Sequence, residues 1–200
     1  MYAIVIPDEI WEGFEKRFDV PLCDLWGMTE TLGATTLNPI DGVLKRNCIG
    51  MPRVENAINI VDEKGNEVPA GTVGEIIVKG VPGRTLMKAY YNNPEATAET
   101  IRDGWLYTGD NAYMDEDGYF YIVDRKKDMA LIGGFNVYPT QIEKVLREHP
   151  AILEVGVVGI PHPERQGQEA LKAWIAFKEG HSATEEELIE QCSKFLAPYE

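Results

Sequence analysis

Tyr119-Phe120-Tyr121-Ile122-Val123-Asp124-Arg125-Lys126-Lys127-Asp128 is the stretch on which the organisation of this 200-residue chain turns. Its first half is aromatic and β-branched, and Asp115-Glu116-Asp117-Gly118 just before it is a tight turn, so the pair reads as a β-hairpin. Its second half is charged, and beyond it the pattern changes. Upstream, residues 58–61, a turn at Lys64-Gly65-Asn66 and residues 75–79 read as short strands. Downstream, Pro139 opens a helix to about Glu148, while 154–160 and 171–177 read as strands. Thr184 with Glu187 three residues later makes a capping box before a last helix. The expected fold is α+β in two units. A β-rich 1–127 gives way to a smaller α/β 128–200, with the joint near Arg125 to Asp128.

Two helices are expected in the first unit. Ile10, Trp11, Phe14 and Phe18 recur with helical period behind Asp8, a candidate N-cap. Residues 94–102 follow Asn93 with proline in the first turn. Gly104-Trp105-Leu106-Tyr107-Thr108-Gly109-Asp110 reads as a turn fixed by two glycines, with Asp110 at its exit.

Composition narrows the function classes. A formal charge of -14 and a pI near 4.7 set the chain against nucleic acid, whose phosphates it would repel. Cys23, Cys48 and Cys192 form no CxxC or CxxH cluster, which fits a reducing compartment and offers no metal site. The apolar run Tyr2-Ala3-Ile4-Val5-Ile6 is too short for a signal peptide, and nothing approaches the roughly 20 residues that span a bilayer. A cytoplasmic protein without a transmembrane segment is expected.

Three segments carry chemistry. Trp26-Gly27-Met28-Thr29-Glu30 puts an aromatic, a glycine, a hydroxyl and a carboxylate in one short turn, able to stack a base, admit close backbone approach, bond a phosphate and hold Mg²⁺. A surface loop with Trp26 as a core anchor and Thr29 as a helix cap is the ordinary alternative. Asp110 can accept both hydroxyls of a ribose, or simply cap a turn. Arg125, Lys126 and Lys127, followed by Leu131-Ile132-Gly133-Gly134-Phe135-Asn136, can bind phosphate beside a pliable glycine pair, or form a solvated linker.

In this order the segments resemble the adenylate-forming superfamily of acyl-CoA synthetases, luciferases and peptide-synthetase adenylation domains. Trp26 to Glu30 is similar to its YGxTE segment, Gly104 to Asp110 to GWxxTGD, and Asp124 to Asn136 to the DRxKD…GG hinge region. Tyr138-Pro139 with Ile142-Glu143, Gly74-Glu75-Ile76 and Tyr90-Tyr91-Asn92-Asn93-Pro94-Glu95 match further segments. The resemblance implies the C-terminal portion of an ATP-dependent acyl-CoA synthetase: 1–127 the distal part of the large AMP-binding domain, 128–200 the small C-terminal domain.

By that resemblance Trp26 replaces the tyrosine that stacks on adenine, and Gly27 belongs to the same nucleotide-binding segment. Thr29 contacts the α-phosphate and Glu30 ligates Mg²⁺. Asp110 holds the ribose hydroxyls, with Arg125 assisting. Lys127 sits at the hinge about which the small domain rotates, and Gly133 and Gly134 help form the pantetheine channel for coenzyme A. The implied chemistry is activation of a carboxylic acid by ATP as an acyl-adenylate, then displacement of AMP by the CoA thiol.

Departures accompany the match. The glycine- and serine/threonine-rich phosphate loop and the C-terminal GK lysine of the family are not in the sequence, so the rest of the enzyme is expected beyond its ends and the chain alone is expected to form no adenylate. Arg53-Val54-Glu55-Asn56 stands where the family has proline-glycine, and Leu25 where small residues are common. The weaker hints to substrate, Val81 to Lys88 toward carnitine/crotonobetaine ligases and Gly134 to Pro139 toward fatty-acid ligases, point in two directions. The alternatives are an adenylation domain that loads a carrier protein and a non-catalytic nucleotide-binding module.

Overall fold

The computed structural model describes residues 2–3, 8–53, 57–165 and 168–198, and the side chains of residues 11–53, 57–165 and 168–198. Expectations resting on 4–7, on Val54-Glu55-Asn56 and on Tyr199-Glu200 lie outside these residues. The chain is α+β and divides into two compact units, Met1–Ile122 and Val123–Glu200.

Among the described residues the first unit carries two sheets. The first joins β1 (Tyr2–Ala3), β2 (Cys23–Met28), β3 (Gly33–Leu37) and β4 (Met51–Pro52) in that order, with β1 parallel to β2 and the other pairs antiparallel. The second runs β5 (Ala57–Val61), β6 (Gly74–Lys79), β8 (Trp105–Met114) and β7 (Ile101–Arg102), and β9 (Phe120–Arg125) also pairs with β8. Trp26 of β2 shares one core with Ile58, Ile60, Ile76, Val78, Leu106 and Phe120 of the second sheet. Alternating inward residues on β5 and the fully apolar Ile76-Ile77-Val78 of β6 account for that burial.

Helix α1 (Asp8–Phe18) forms as the periodicity predicts, with Asp8 its first helical residue. Trp11 is buried, but Phe18 is 53% exposed and pairs with Phe14 at 4.6 Å between ring centroids. The apolar stripe is therefore one turn shorter than expected. Helix α2 (Pro94–Thr100) ends two residues early. Asn93 caps it by accepting the Ala96 N–H at 3.1 Å. Ile101 then turns extended because Asp103 and Gly104, at φ 51° and 77°, form a two-residue hairpin that pairs β7 with β8. The segment expected to be a turn, 104–110, is thus mostly strand, and Asp110 lies inside β8.

A polar clamp fastens the 38–48 loop to the β8–β9 turn. Lys45 Nζ sits 2.7 Å from Asp115 Oδ2 and 2.7 Å from Asp117 Oδ2, with its charge 4.4 Å from the Tyr119 ring centroid. Tyr121 donates to Asp115 at 3.1 Å, and the N–H groups of Asp117 and Tyr119 donate to its other oxygen. Burial works against the Asp115 carboxylate, but the Lys45 ammonium and these donors outweigh it and hold its pKa below the usual value. Burial and the Asp115 charge push the Tyr121 phenol up to about 12. A depressed carboxylate stabilises the fold above its unfolded pKa of about 4 and loses that contribution as pH falls through the folded value. Asp115→Asn is expected to lower the melting temperature at pH 7 and to flatten its decline below about pH 4, read by calorimetry across pH.

The second unit packs α3 (Pro139–Arg147) and α4 (Glu185–Phe195) with the antiparallel pair β12 (Ile152–Pro161) and β13 (Glu169–Phe177), through Val137, Ile142, Leu146, Ile152, Val157 and Leu188. The capping box at α4 is present, Thr184 and Glu187 exchanging hydrogen bonds of 2.8 and 3.2 Å. A short hairpin joins β10 (Ala130–Ile132) to β11 (Phe135–Val137). Its tip is Gly133-Gly134 at φ 58° and 91°, a conformation glycine adopts without strain.

Candidate nucleotide site

The 26–30 segment is the end of β2 followed by a 3₁₀ turn at Thr29–Thr31, where a single short turn was expected. A register shift between Trp26 and Gly27 bends the strand. A Cβ on Gly27 would lie 2.1 Å from the Gly33 carbonyl oxygen, so the close approach this glycine permits is to the neighbouring strand. Thr31, which the sequence did not single out, holds the bend. Its hydroxyl accepts the Met28 N–H at 3.0 Å and reaches the Met28 and Gly33 carbonyls at 2.9 Å. Thr29 begins the 3₁₀ turn and is exposed. The cap is therefore supplied by Thr31, three residues beyond Met28.

Trp26 is 8% exposed, and its indole N–H donates to Asp110 Oδ2 at 3.0 Å. Residues 84 positions apart are thereby brought together. A carboxylate can accept from more donors than one, since it offers about four lone-pair directions.

Asp110 owes its position to a bulge in β8. Glu75 pairs with Asn111 and Ile77 with Tyr107, which leaves Thr108, Gly109 and Asp110 opposite Ile76 alone. Gly109 takes φ 74° there. The Thr108 hydroxyl donates to the Ile76 carbonyl at 2.8 Å and accepts the Asp110 N–H at 3.1 Å.

Glu30 is half-buried, and its Oε1 accepts the Tyr90 hydroxyl at 2.8 Å. The Met87 N–H donates to the Glu30 carbonyl at 2.7 Å, which fixes the 86–91 strap against the 3₁₀ turn. Burial, and then the Glu30 charge, raise the Tyr90 pKa, so the phenol remains a donor through neutral pH. Tyr90 was legible only as part of a connecting motif. No cluster of three or more metal-ligating side chains occurs among the described residues. A single carboxylate suits Mg²⁺ that is bound mainly by phosphate and water, and no N–H or O–H donor among the described residues reaches Glu30 Oε2.

The remaining expected site residues belong to the second unit. Arg125 ends β9, and Lys127 is exposed in the turn closed by Asp128 N–H to the Arg125 carbonyl at 3.0 Å. Asp124, 9% exposed, accepts the Thr140 N–H at 3.1 Å at the start of α3. Gly133 and Gly134 are exposed at the hairpin tip.

This is an α+β chain whose first unit pairs an indole with one carboxylate and a phenol with another through contacts distant in sequence. Residues 2–91 match the family model for the AMP-binding enzyme and residues 141–200 that for the AMP-binding enzyme C-terminal domain. The chain belongs to the AMP-binding enzyme family. It is 43% identical over 198 residues to the long-chain-fatty-acid–CoA ligase of Bacillus subtilis (strain 168), covering 98% of this chain and 34% of that protein. It is 41% identical over 203 residues to the crotonobetaine/carnitine–CoA ligase of Proteus mirabilis (strain HI4320), covering 100% of this chain and 38% of that one. Its fold matches ATP-bound MatB from Rhodopseudomonas palustris with a TM-score of 0.86 at 31% identity, over 99% of this chain and 39% of the other. It also matches the AMP complex of O-succinylbenzoate coenzyme A synthetase from Bacillus subtilis, with a TM-score of 0.80 at 30% identity over 98% and 39%. The chain thus spans a little over a third of the length of these proteins. Among the described residues no helix is long and apolar enough to cross a membrane.

Proposed function

We propose that this chain supplies the distal part of an ATP-dependent acid–thiol ligase, which activates a carboxylic acid as its acyl-adenylate and transfers the acyl group to coenzyme A. The Trp26–Asp110 hydrogen bond is the observation that carries the reading. It joins the first two of the three chemical segments and fixes one oxygen of a carboxylate, a group able to accept from the vicinal hydroxyls of a ribose. Residues 1–127 are the end of the large AMP-binding domain and 128–200 the small C-terminal domain.

Asp110 accepts the ribose hydroxyls, and Arg125 assists. Trp26, anchored in the core, meets adenine, and Gly27 keeps the strand end close to its neighbour. The exposed Thr29 hydroxyl donates to the α-phosphate. Glu30 holds Mg²⁺, which when bound neutralises charge developing on the phosphates. Tyr90 fixes the Glu30 carboxylate in one orientation through Oε1, and Oε2 would be the oxygen offered to the ion. Lys127 marks the hinge, where an exposed turn can absorb backbone rotation. Gly133 and Gly134, lacking side chains, let the pantetheine arm pass close to the hairpin backbone. A cytoplasmic location agrees with the three free cysteines.

Acid-dependent ATP–pyrophosphate exchange, followed by CoA-dependent release of AMP, tests the assignment in the protein that contains this chain. Exchange without CoA dependence, with transfer to a carrier protein, would give the carrier-loading reading instead. Tyr90→Phe is expected to raise the Mg²⁺ concentration for half-maximal exchange by about tenfold, the value of one hydrogen bond to a charged group. An unchanged Mg²⁺ dependence would remove Tyr90 from the site.

A further inference from the structure

The first unit holds a buried carboxylate that the reading above leaves unused. Glu75 is 9% exposed and stands beside Ile76-Ile77-Val78, all of them buried. An ionisable group in such a strand is costly unless its hydrogen bonds are met. Glu75 Oε1 accepts the N–H of Gly109 at 3.0 Å. Gly109 is the residue at the crest of the bulge, next to Asp110.

In a bulge the ladder hydrogen bonds are interrupted, and the extra residues need other partners. Here side chains provide them. Glu75 accepts the Gly109 N–H, while the Thr108 hydroxyl accepts the Asp110 N–H and donates to the Ile76 carbonyl. We propose that Glu75 is the positioning residue of the nucleotide site: by holding the Gly109 N–H it sets the bulge that aims Asp110 at the ribose. The proposal rests on the ribose role given to Asp110 above. In this role Glu75 acts on the ligand through the direction of the Asp110 side chain.

The measurement is the preference for AMP over 2′,3′-dideoxy-AMP, titrated calorimetrically into the protein and its variants. Wild type is expected to prefer AMP by at least about tenfold, since a site built to bond hydroxyls is left unsatisfied by their absence. Asp110→Ala abolishes the preference. Glu75→Leu reduces it to within about threefold of unity while leaving dideoxy-AMP affinity near wild type, and Glu75→Gln, which keeps an acceptor for Gly109, restores it. A general loss of packing would lower both affinities together and leave their ratio intact. A folded Glu75→Leu protein with the wild-type ratio overturns the positioning role. Should Glu75→Leu yield no folded protein, Glu75→Asp is read in its place, because it keeps the charge but withdraws the acceptor by one methylene; a full wild-type ratio there also overturns the proposal. A wild type without the preference, or Asp110→Ala retaining it, overturns the ribose reading itself and the inference with it.

Discussion

Asp110→Ala is expected to weaken AMP binding by about two orders of magnitude. Hydrogen bonds to a charged group contribute about 1.5–3 kcal/mol each, and a ribose edge offers the carboxylate two hydroxyls. The substitution also leaves the Trp26 indole N–H, in a residue only 8% exposed, without the acceptor it meets at 3.0 Å. That orphaned donor costs about 1–3 kcal/mol of stability on its own. Asp110→Asn separates the two effects. Its amide oxygen can still accept from the indole, so stability is largely kept, while the loss of the negative charge still weakens the grip on the ribose. Calorimetric titration with AMP, beside thermal melting of each variant, checks both. Near-wild-type affinity in Asp110→Ala would remove this residue from nucleotide binding.

Gly27→Ala is expected to destabilise the first unit by about 3–5 kcal/mol, in the upper range for single substitutions. The added methyl would meet the Gly33 oxygen at 2.1 Å, the Gly33 carbon at 2.8 Å and the Ala34 Cα at 2.9 Å. All three are backbone atoms of the paired strand, so no side chain can swing aside. The strands must part, and the hydrogen bonds by which Thr31 holds Met28 and Gly33 part with them. Urea unfolding reads the loss as a fall in midpoint at unchanged slope. A change below about 1 kcal/mol would show that β2 and β3 can separate at little cost.

Local chemistry made much of this fold legible. Asn93 before Pro94, Pro139 at the start of α3 and the Thr184–Glu187 pair each act within one helical turn, so a single-chain reading finds them. The same holds for Asp115 to Gly118, whose turn bonds close within four residues. What sequence left hidden is what depends on a partner strand. Gly104 and Gly109 both read as turn residues, yet only Gly104 completes a hairpin, with Asp103; Gly109 bends a continuing strand because Glu75 waits opposite its N–H. The reach of α1's apolar face was overestimated at Phe18, since nothing in a period reveals where the covering layer stops. Of the site, Trp26 and Asp110 could be named but not joined. Tyr90 and Glu75 were missed as contributors, because a tyrosine in a strap or a glutamate in a strand carries no signal until its neighbour across the fold is known, and Thr31 because its role depends on where β2 ends.

The contacts that define the first unit's site and clamp have a bearing on how quickly it can assemble. Glu30 meets Tyr90 across 60 residues, Lys45 meets Asp115 across 70, and Trp26 meets Asp110 across 84. Each such closure loses chain entropy before any contact compensates for it. High contact order of this kind slows folding. During synthesis the strands around Trp26 emerge long before the residues that complete its core, and their apolar faces stay uncovered in the interval. These three long-range contacts therefore form late, as the last of the loops shuts.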